Sequence, residues 1–322
     1  MNIKLDKFVV SILFIIGLAY VFPQWGTASS PIPINTISTI GISLIFFFYG
    51  LKLSPTKIKE GLKNWKLHVL IQGTTFLFFP LIVLLFKPLL QTAEQELLWL
   101  AIFFLAALPS TVSSSVVMVS VAKGNIPAAI FNASISGIIG ILVTPLWMGI
   151  FVNSADANFD FSSIYLQLIG QIVVPVVLGL ILQKYLGEFA QKYSKQLTLF
   201  DKSIILLIIY KSFASSFEEK IFSSVSLVDL LVLLGIILLL FAVVFFGIKF
   251  VSKRLGFTEK DQITATFCGT KKSLVHGTVF SKIVFGNMAT LGIILLPLMI
   301  FHATQILIIS IIAGKMGRNK SA

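Results

Sequence analysis

The chain is poor in cysteine, in charge and above all in carboxylates. It has one cysteine, three histidines and 13 acidic residues in 322. The single Cys268 excludes an intramolecular disulfide framework and a multi-cysteine metal site. Charged residues make up 12% of the chain, against about 25% in soluble domains. What fills their place is apolar: 57% hydrophobic residues and a mean hydropathy of +0.98. Apolar runs of about 18 residues or more, each long enough to cross a bilayer, recur from end to end and leave no soluble domain over. The net charge of +12 does not indicate nucleic acid, because the lysines cluster at helix ends rather than on one patch. The expected fold is an all-α polytopic membrane protein, a single domain over 1–322 whose surroundings are the lipid bilayer.

The apolar runs divide into ten expected spans, at about 8–22, 35–52, 66–86, 97–122, 126–152, 163–186, 201–217, 226–250, 262–285 and 288–313. The first is read as a retained span, not a cleaved signal, because so many spans follow it. Basic residues test the count. With the N-terminus inside, Lys and Arg from Lys4 to Lys320 fall on inside segments, whereas the outside holds only Lys87, Lys211, Lys220 and Lys282. The loop Asn153–Asp160, expected outside, has no basic residue. This asymmetry is that of the positive-inside rule, with both termini cytoplasmic.

Two expected spans read badly as plain helices. The fourth contains "LAALPSTVSSSVVMVSVAKGN", with Pro109 in its middle, and proline removes a backbone donor and clashes with the preceding turn. The ninth contains "FCGTKKSLVHG", with Gly269 followed by Lys271 and Lys272. Both end in a Gly-Asn pair, Gly124-Asn125 and Gly286-Asn287, before a long apolar span. They are the fourth of five and the ninth of ten, so they occupy corresponding places in halves at 1–152 and 163–313. Five spans per half imply that the second half is inverted. Interrupted segments at matched places of two inverted halves mark a transporter's binding region.

Unwound backbone within a membrane must line a cavity or be buried in protein. Candidate site residues near the breaks are Ser113, Ser114 and Ser115, then Asn132 and Ser136 in the next span, and Gln72 and Thr75 in the third. Thr270, Lys271, Lys272 and Ser273 complete the set. Any single hydroxyl also fits ordinary interhelical packing. The lysines do not: about ten residues, roughly 15 Å of helix, separate them from Asp261, and an intramembrane Lys costs roughly 2.5–3.5 kcal/mol on insertion scales. Lys211 and Lys282 fit snorkelling near span ends. His276, four residues after Lys272, fits either a proton relay or a polar gap-filler. The fourth, fifth, ninth and tenth spans hold no acidic residue. An enzyme is not indicated, since no acid–base pair, metal cluster or nucleophile triad stands out. No metal site or cofactor is expected with the exception of Na⁺, for which the missing carboxylates argue poorly.

"ALPSTVSSSVVMVSVAKGNIPAAIFN" and "FCGTKKSLVHGTVFSKIVFGN" resemble the two crossing-helix motifs of the bile acid:sodium symporter family (solute carrier family 10-like), most closely its bacterial, fungal and animal branch linked to calcium homeostasis. The resemblance covers essentially the whole chain. It implies two inverted five-helix repeats, a panel and a core domain, and broken helices 4 and 9 crossing at mid-membrane. In sodium-coupled members a Ser-Asn pair follows the first break, where this chain has Ser113–Ser115. The third helix supplies a Gln, where Thr75 stands, with Gln72 one turn before. The ninth supplies a Glu and a Gln around the glycine, where this chain has Phe267 and Lys271. The shared sodium carboxylate is absent and a cation replaces an amide, which puts sodium coupling in doubt. The resulting expectation is a secondary transporter moving a small organic anion by alternating access, with a calcium-homeostasis regulator of little transport activity as the alternative.

Overall fold

The computed structural model describes residues 7–27, 30–53, 64–89, 91–111, 113–152, 161–224, 226–286, 288 and 290–319. Lys4, Lys57, Lys59, Lys63, Asn153–Asp160, Asn287 and Lys320, on which part of the topology and motif reading rests, lie outside the described residues, as does the side chain of Ser113. Among the described residues every regular element is helical.

The first half runs α1 (Lys7–Val21), α2 (Ile34–Lys52), α3 (Trp65–Gly73), a π turn (Thr74–Phe78), α4 (Phe79–Leu84), α5 (Ala93–Ala107), α6 (Ser113–Val121) and α7 (Ile126–Val152). The second half runs α8 (Phe161–Leu168), a π turn (Ile169–Val173), α9 (Val174–Lys192), α10 (Ser194–Glu218), α11 (Leu227–Arg254), α12 (Glu259–Gly269), α13 (Leu274–Val284) and α14 (Leu291–Asn319). Among the described residues, six stretches are long and apolar enough to cross a membrane: Ile34–Lys52, Trp65–Leu89, Ile126–Phe151, Tyr165–Lys192, Leu227–Arg254 and Leu291–Arg318. The other expected spans differ for visible reasons. α1 is apolar but short. α10 carries Asp201, Lys202 and Lys211 in its apolar part. The fourth and ninth are each two short helices separated by irregular backbone.

Local chemistry explains the starts. Thr92 caps α5, accepting from the Gln95 N–H, with Glu94 and Glu96 in the first turn of the helix. Ser226 and Asp229 form a reciprocal capping box at α11, which ends on Lys253 and Arg254. Both π turns lie immediately before a helix with proline near its start, Pro80 in α4 and Pro175 in α9. The π turn lets each helix continue past a residue that has no N–H to donate.

The chain forms two compact units. Unit 1 comprises 1–54, 149–225 and 278–295; unit 2 comprises 55–148, 226–277 and 296–322. In unit 1 the most extensive packing is α2 on α9, and two glycines allow it. A Cβ at Gly50 would lie 2.3 Å from the Val176 carbonyl oxygen, and one at Gly179 would lie 2.2 Å from that of Phe47. Backbones this close are the membrane solution to helix association, where small residues replace a hydrophobic drive. Lys52 and Asp201 add an ion pair at 3.8 Å between α2 and α10.

In unit 2 the Gly-Asn pair after α6 has a structural task. Asn125 Nδ2 donates to Asp261 Oδ1 at 2.7 Å, and Asn64 Nδ2 to Asp261 Oδ2 at 3.1 Å. The Asn125 N–H donates to Thr264 Oγ1 at 2.9 Å. A Cβ at Gly124 would lie 2.9 Å from Ile263 Cγ2. The turn therefore ties the end of α6 to the start of α12. Gly286, after α13, has φ of +59°, the left-handed C-terminal position that favours glycine.

Substituting Gly179 by leucine should force α2 and α9 apart and cost roughly 1–3 kcal/mol or more, as overpacking does. Thermal unfolding of the purified protein should show the loss, and G17L, at a glycine with open space around it, should not.

Candidate functional site

Two breaks in unit 2 face each other. α5 stops at Ala107 because Pro109 cannot continue it; residues 108–111 are irregular, and α6 begins at Ser113. α12 runs through Gly269, and the irregular backbone is Thr270–Ser273. Each break supplies the other's missing partners. The Ser273 N–H donates to the Pro109 carbonyl at 2.9 Å, and Ser110 Oγ donates to the Cys268 carbonyl at 2.6 Å. Ser136 on α7 accepts from the Ser110 N–H at 2.9 Å. Ser273 caps α13, its Oγ accepting from the His276 N–H at 3.3 Å and contacting His276 Nδ1 at 2.9 Å. The Pro109 ring lies on Gly140, where a Cβ would come within 2.8 Å of it.

Lys272 sits at the centre of this arrangement, fully buried. Its Nζ donates to the carbonyls of Thr75 at 2.7 Å, Ala106 at 2.5 Å and Leu108 at 2.9 Å. An ammonium has three N–H donors, and all three are used. The acceptors are available for backbone reasons. Ala106 and Leu108 lie at the end of α5, where the last carbonyls have no helical partner; that end also carries partial negative charge. Of the neighbouring carbonyls, Ala107 takes the Thr144 hydroxyl at 2.8 Å and Leu105 takes the Leu108 N–H. The Thr75 carbonyl is free because of the π turn. The Phe79 N–H, its α-helical partner, goes to Thr74 instead, and Pro80, its π partner, has no N–H. The Phe79 ring completes the shell, its centroid 4.2 Å from Nζ, at cation–π distance.

The Lys272 peptide is also clamped. Its N–H donates to Gln305 Oε1 at 2.9 Å, and Gln305 Nε2 donates to its carbonyl at 2.8 Å. Lys271, equally buried, reaches the other side of the first break, donating to the Ser114 carbonyl at 2.8 Å and to Ser114 Oγ at 3.4 Å. Thr111 Oγ1 holds Ser114 Oγ and Ser115 Oγ, each at 2.8 Å. Thr270 Oγ1 donates back to the Thr266 carbonyl at 2.7 Å. Among the described residues neither lysine has a carboxylate partner; backbone dipoles and one ring take that role.

The crossover thus brings together Pro109, Ser114, Ser115, Ser136, Thr270, Lys271, Lys272 and Ser273. Thr75 joins through its carbonyl, while its hydroxyl turns back to the Ile71 carbonyl at 2.9 Å. Gln72 and Asn132 do not bond to the lysines. Gln72 Nε2 donates to Asn132 Oδ1 at 3.1 Å, and Asn132 Nδ2 lies 2.7 Å from His68 Nδ1. Sequence reasoning missed Gln305, Phe79 and Ser110. The polar "HATQ" within the last apolar run was the available signal for Gln305; nothing in sequence singles out one phenylalanine of 30.

Removing the Lys272 ammonium strands three buried carbonyls, each costing about 1–3 kcal/mol when unsatisfied. K272M should therefore lower the unfolding temperature well beyond K271M, because the Ser114 carbonyl that Lys271 meets lies inside α6, where a helical N–H also serves it. Equal shifts would contradict this accounting.

The profile of the SBF-like CPA transporter family matches residues 6–318. An uncharacterized protein of Pseudomonas aeruginosa is 33% identical over 98% of this chain and 94% of its own length. Putative symporter YfeH of Escherichia coli is 32% identical over 98% and 93%. Sodium/bile acid cotransporter 7 of Rattus norvegicus is 34% identical over 97% and 92%. The match spans nearly the whole chain, and with it the apolar helices are those of an integral multi-pass membrane protein: this chain belongs to the SBF-like CPA transporter family.

Proposed function

We propose that the protein is a secondary transporter of a small organic anion that works by alternating access without sodium, the Lys272 ammonium being the fixed cation of its crossover. One observation carries the reading: three backbone carbonyls and an aromatic ring, a coordination shell suited to a small cation, are already taken by Nζ of Lys272. No carboxylate among the described residues stands by to bind a second cation there. Anionic cargo follows from the same imbalance, since buried lysines and the N-terminal end of α13 favour negative charge. The names of relatives, a putative symporter and a bile acid cotransporter, agree with transport of such a solute.

Ten spans in two inverted repeats, 1–152 and 163–313, are part of this reading. Its support is the symmetry of the interruptions and of the compact units. Each half sends its first two spans to unit 1 and most of its last three to unit 2. Inverted repeats of this kind let one bundle rock about a fixed site. The lysine distribution supports cytoplasmic termini in this reading.

The test is uptake into proteoliposomes from a panel of carboxylates, sulfonates and bile acids, in Na⁺ or in choline. Uptake should be the same in both salts and lost in K272M. Strict Na⁺ dependence with uptake surviving in K272M would overturn the reading. Absence of uptake for every anion would favour the calcium-linked regulator. A reporter that matures only in the cytoplasm, fused at the C-terminus, should be active; an inactive fusion would exclude an even span count with the N-terminus inside.

A further inference from the structure

Two lysines away from the crossover meet in unit 1. Lys211 on α10 donates to Asn35 Oδ1 on α2. Lys282 on α13 donates to the Asn35 carbonyl at 3.2 Å and to Thr39 Oγ1 at 3.0 Å. Both ammonium groups therefore gather on one neutral residue, and like charges held this close repel. Asn35 lies in the first turn of α2 and is exposed, so both lysines reach towards a helix end, as side chains that snorkel do.

They line a cavity of about 430 Å³ whose walls all belong to unit 1, within the range of small-molecule sites. Ser38, one turn beyond Asn35, also lines it. Its side chain is 1% exposed and its Oγ makes no hydrogen bond. A buried hydroxyl without a partner is costly, so one aimed into a cavity beside two cations calls for an acceptor. Ile208, Met288 and Leu291 supply an apolar wall. Glu218 and Glu219 also line the cavity and are exposed. They follow Lys211 by about two helical turns, roughly 10 Å. The cavity is thus cationic at one end and acidic at the other, which suits a single negative charge attached to an apolar body and disfavours a dianion.

We propose that this cavity binds a small organic monocarboxylate, its head between Lys211, Lys282 and the Ser38 hydroxyl and its body against Ile208, Met288 and Leu291. This deepens the anion-transport reading by giving the anion a place in unit 1, and it rests on that reading only for the role of the bound molecule.

The experiment is a thermal-shift titration of the full-length protein in nanodiscs with benzoate and hexanoate, and with benzamide as the neutral control. Either carboxylate should raise the unfolding temperature saturably, as a ligand of the native state does, and benzamide should not. K211M and K282M should each weaken carboxylate binding about tenfold or more, as loss of a charged hydrogen bond does. S38A should weaken it less. K211R and K282R, which keep the charge, should retain binding and serve if a methionine variant fails to fold. Equal shifts from benzoate and benzamide, no shift from either carboxylate, or full affinity in the K211M/K282M double variant would overturn the proposal. Lysine-dependent binding without uptake of any anion would sink the transport reading and leave this site standing. Uptake with binding indifferent to both lysines would do the reverse.

Discussion

The structure of unit 2 depends on one ammonium group satisfied by backbone. Lys272 takes carbonyls from two separate places, the end of α5 and the π turn between α3 and α4. The α5 carbonyls are free because the helix ends before Pro109, and that of Thr75 because the Phe79 N–H goes to Thr74 and Pro80 has no N–H. A lysine in an apolar setting would ordinarily be a liability. Here the interrupted helix end and the π turn present free carbonyl dipoles, and the Lys272 ammonium meets them. The reciprocal bonds between Pro109 and Ser273, and between Ser110 and Cys268, fix the two breaks at the distance this exchange requires. Gln305 then holds the peptide of Lys272 by both its donor and its acceptor.

The chain uses its two lysine pairs differently. At the crossover every donor of Lys272 has an acceptor. In unit 1, Lys211 and Lys282 share neutral acceptors beside open volume and an unsatisfied hydroxyl. The first arrangement is complete as it stands; the second is the one proposed to take an anion. Carboxylate scarcity makes the first possible, because a nearby Asp or Glu would neutralise the pair outright; in unit 1, Glu218 and Glu219 line the same cavity as the two lysines. Asp261, which is buried, instead ties Asn125, Asn64 and Thr258 together at a helix start.

Much of this was legible in the residues. Apolar run lengths located the helices closely, since a bilayer demands a minimum length whatever the packing. Pro109 announced the first break because a missing N–H is a property of the residue itself. Gly269 was less informative: α12 runs through it, and unwinding begins at Thr270, because glycine permits a break without imposing one. The lysines were conspicuous for their charge. The Thr75 hydroxyl and the Gln72 and Asn132 amides were reasonable candidates that bond elsewhere. Side-chain oxygens are visible in a sequence and invite assignment, whereas the carbonyls that hold Lys272 are carried by every residue alike.

The sequence by itself therefore determined the class of the protein, the approximate bounds of its helices and the places where two of them must be interrupted. These follow from side-chain hydropathy and from the covalent chemistry of proline. Only the tertiary structure decided which acceptors receive each lysine, that Ser110 and Ser273 secure one break to the other, and that Lys211 and Lys282 converge on Asn35. Those outcomes depend on which backbone groups remain unpaired after the helices have formed, and on which residues far apart in the chain then come within about 3 Å, the length of a hydrogen bond.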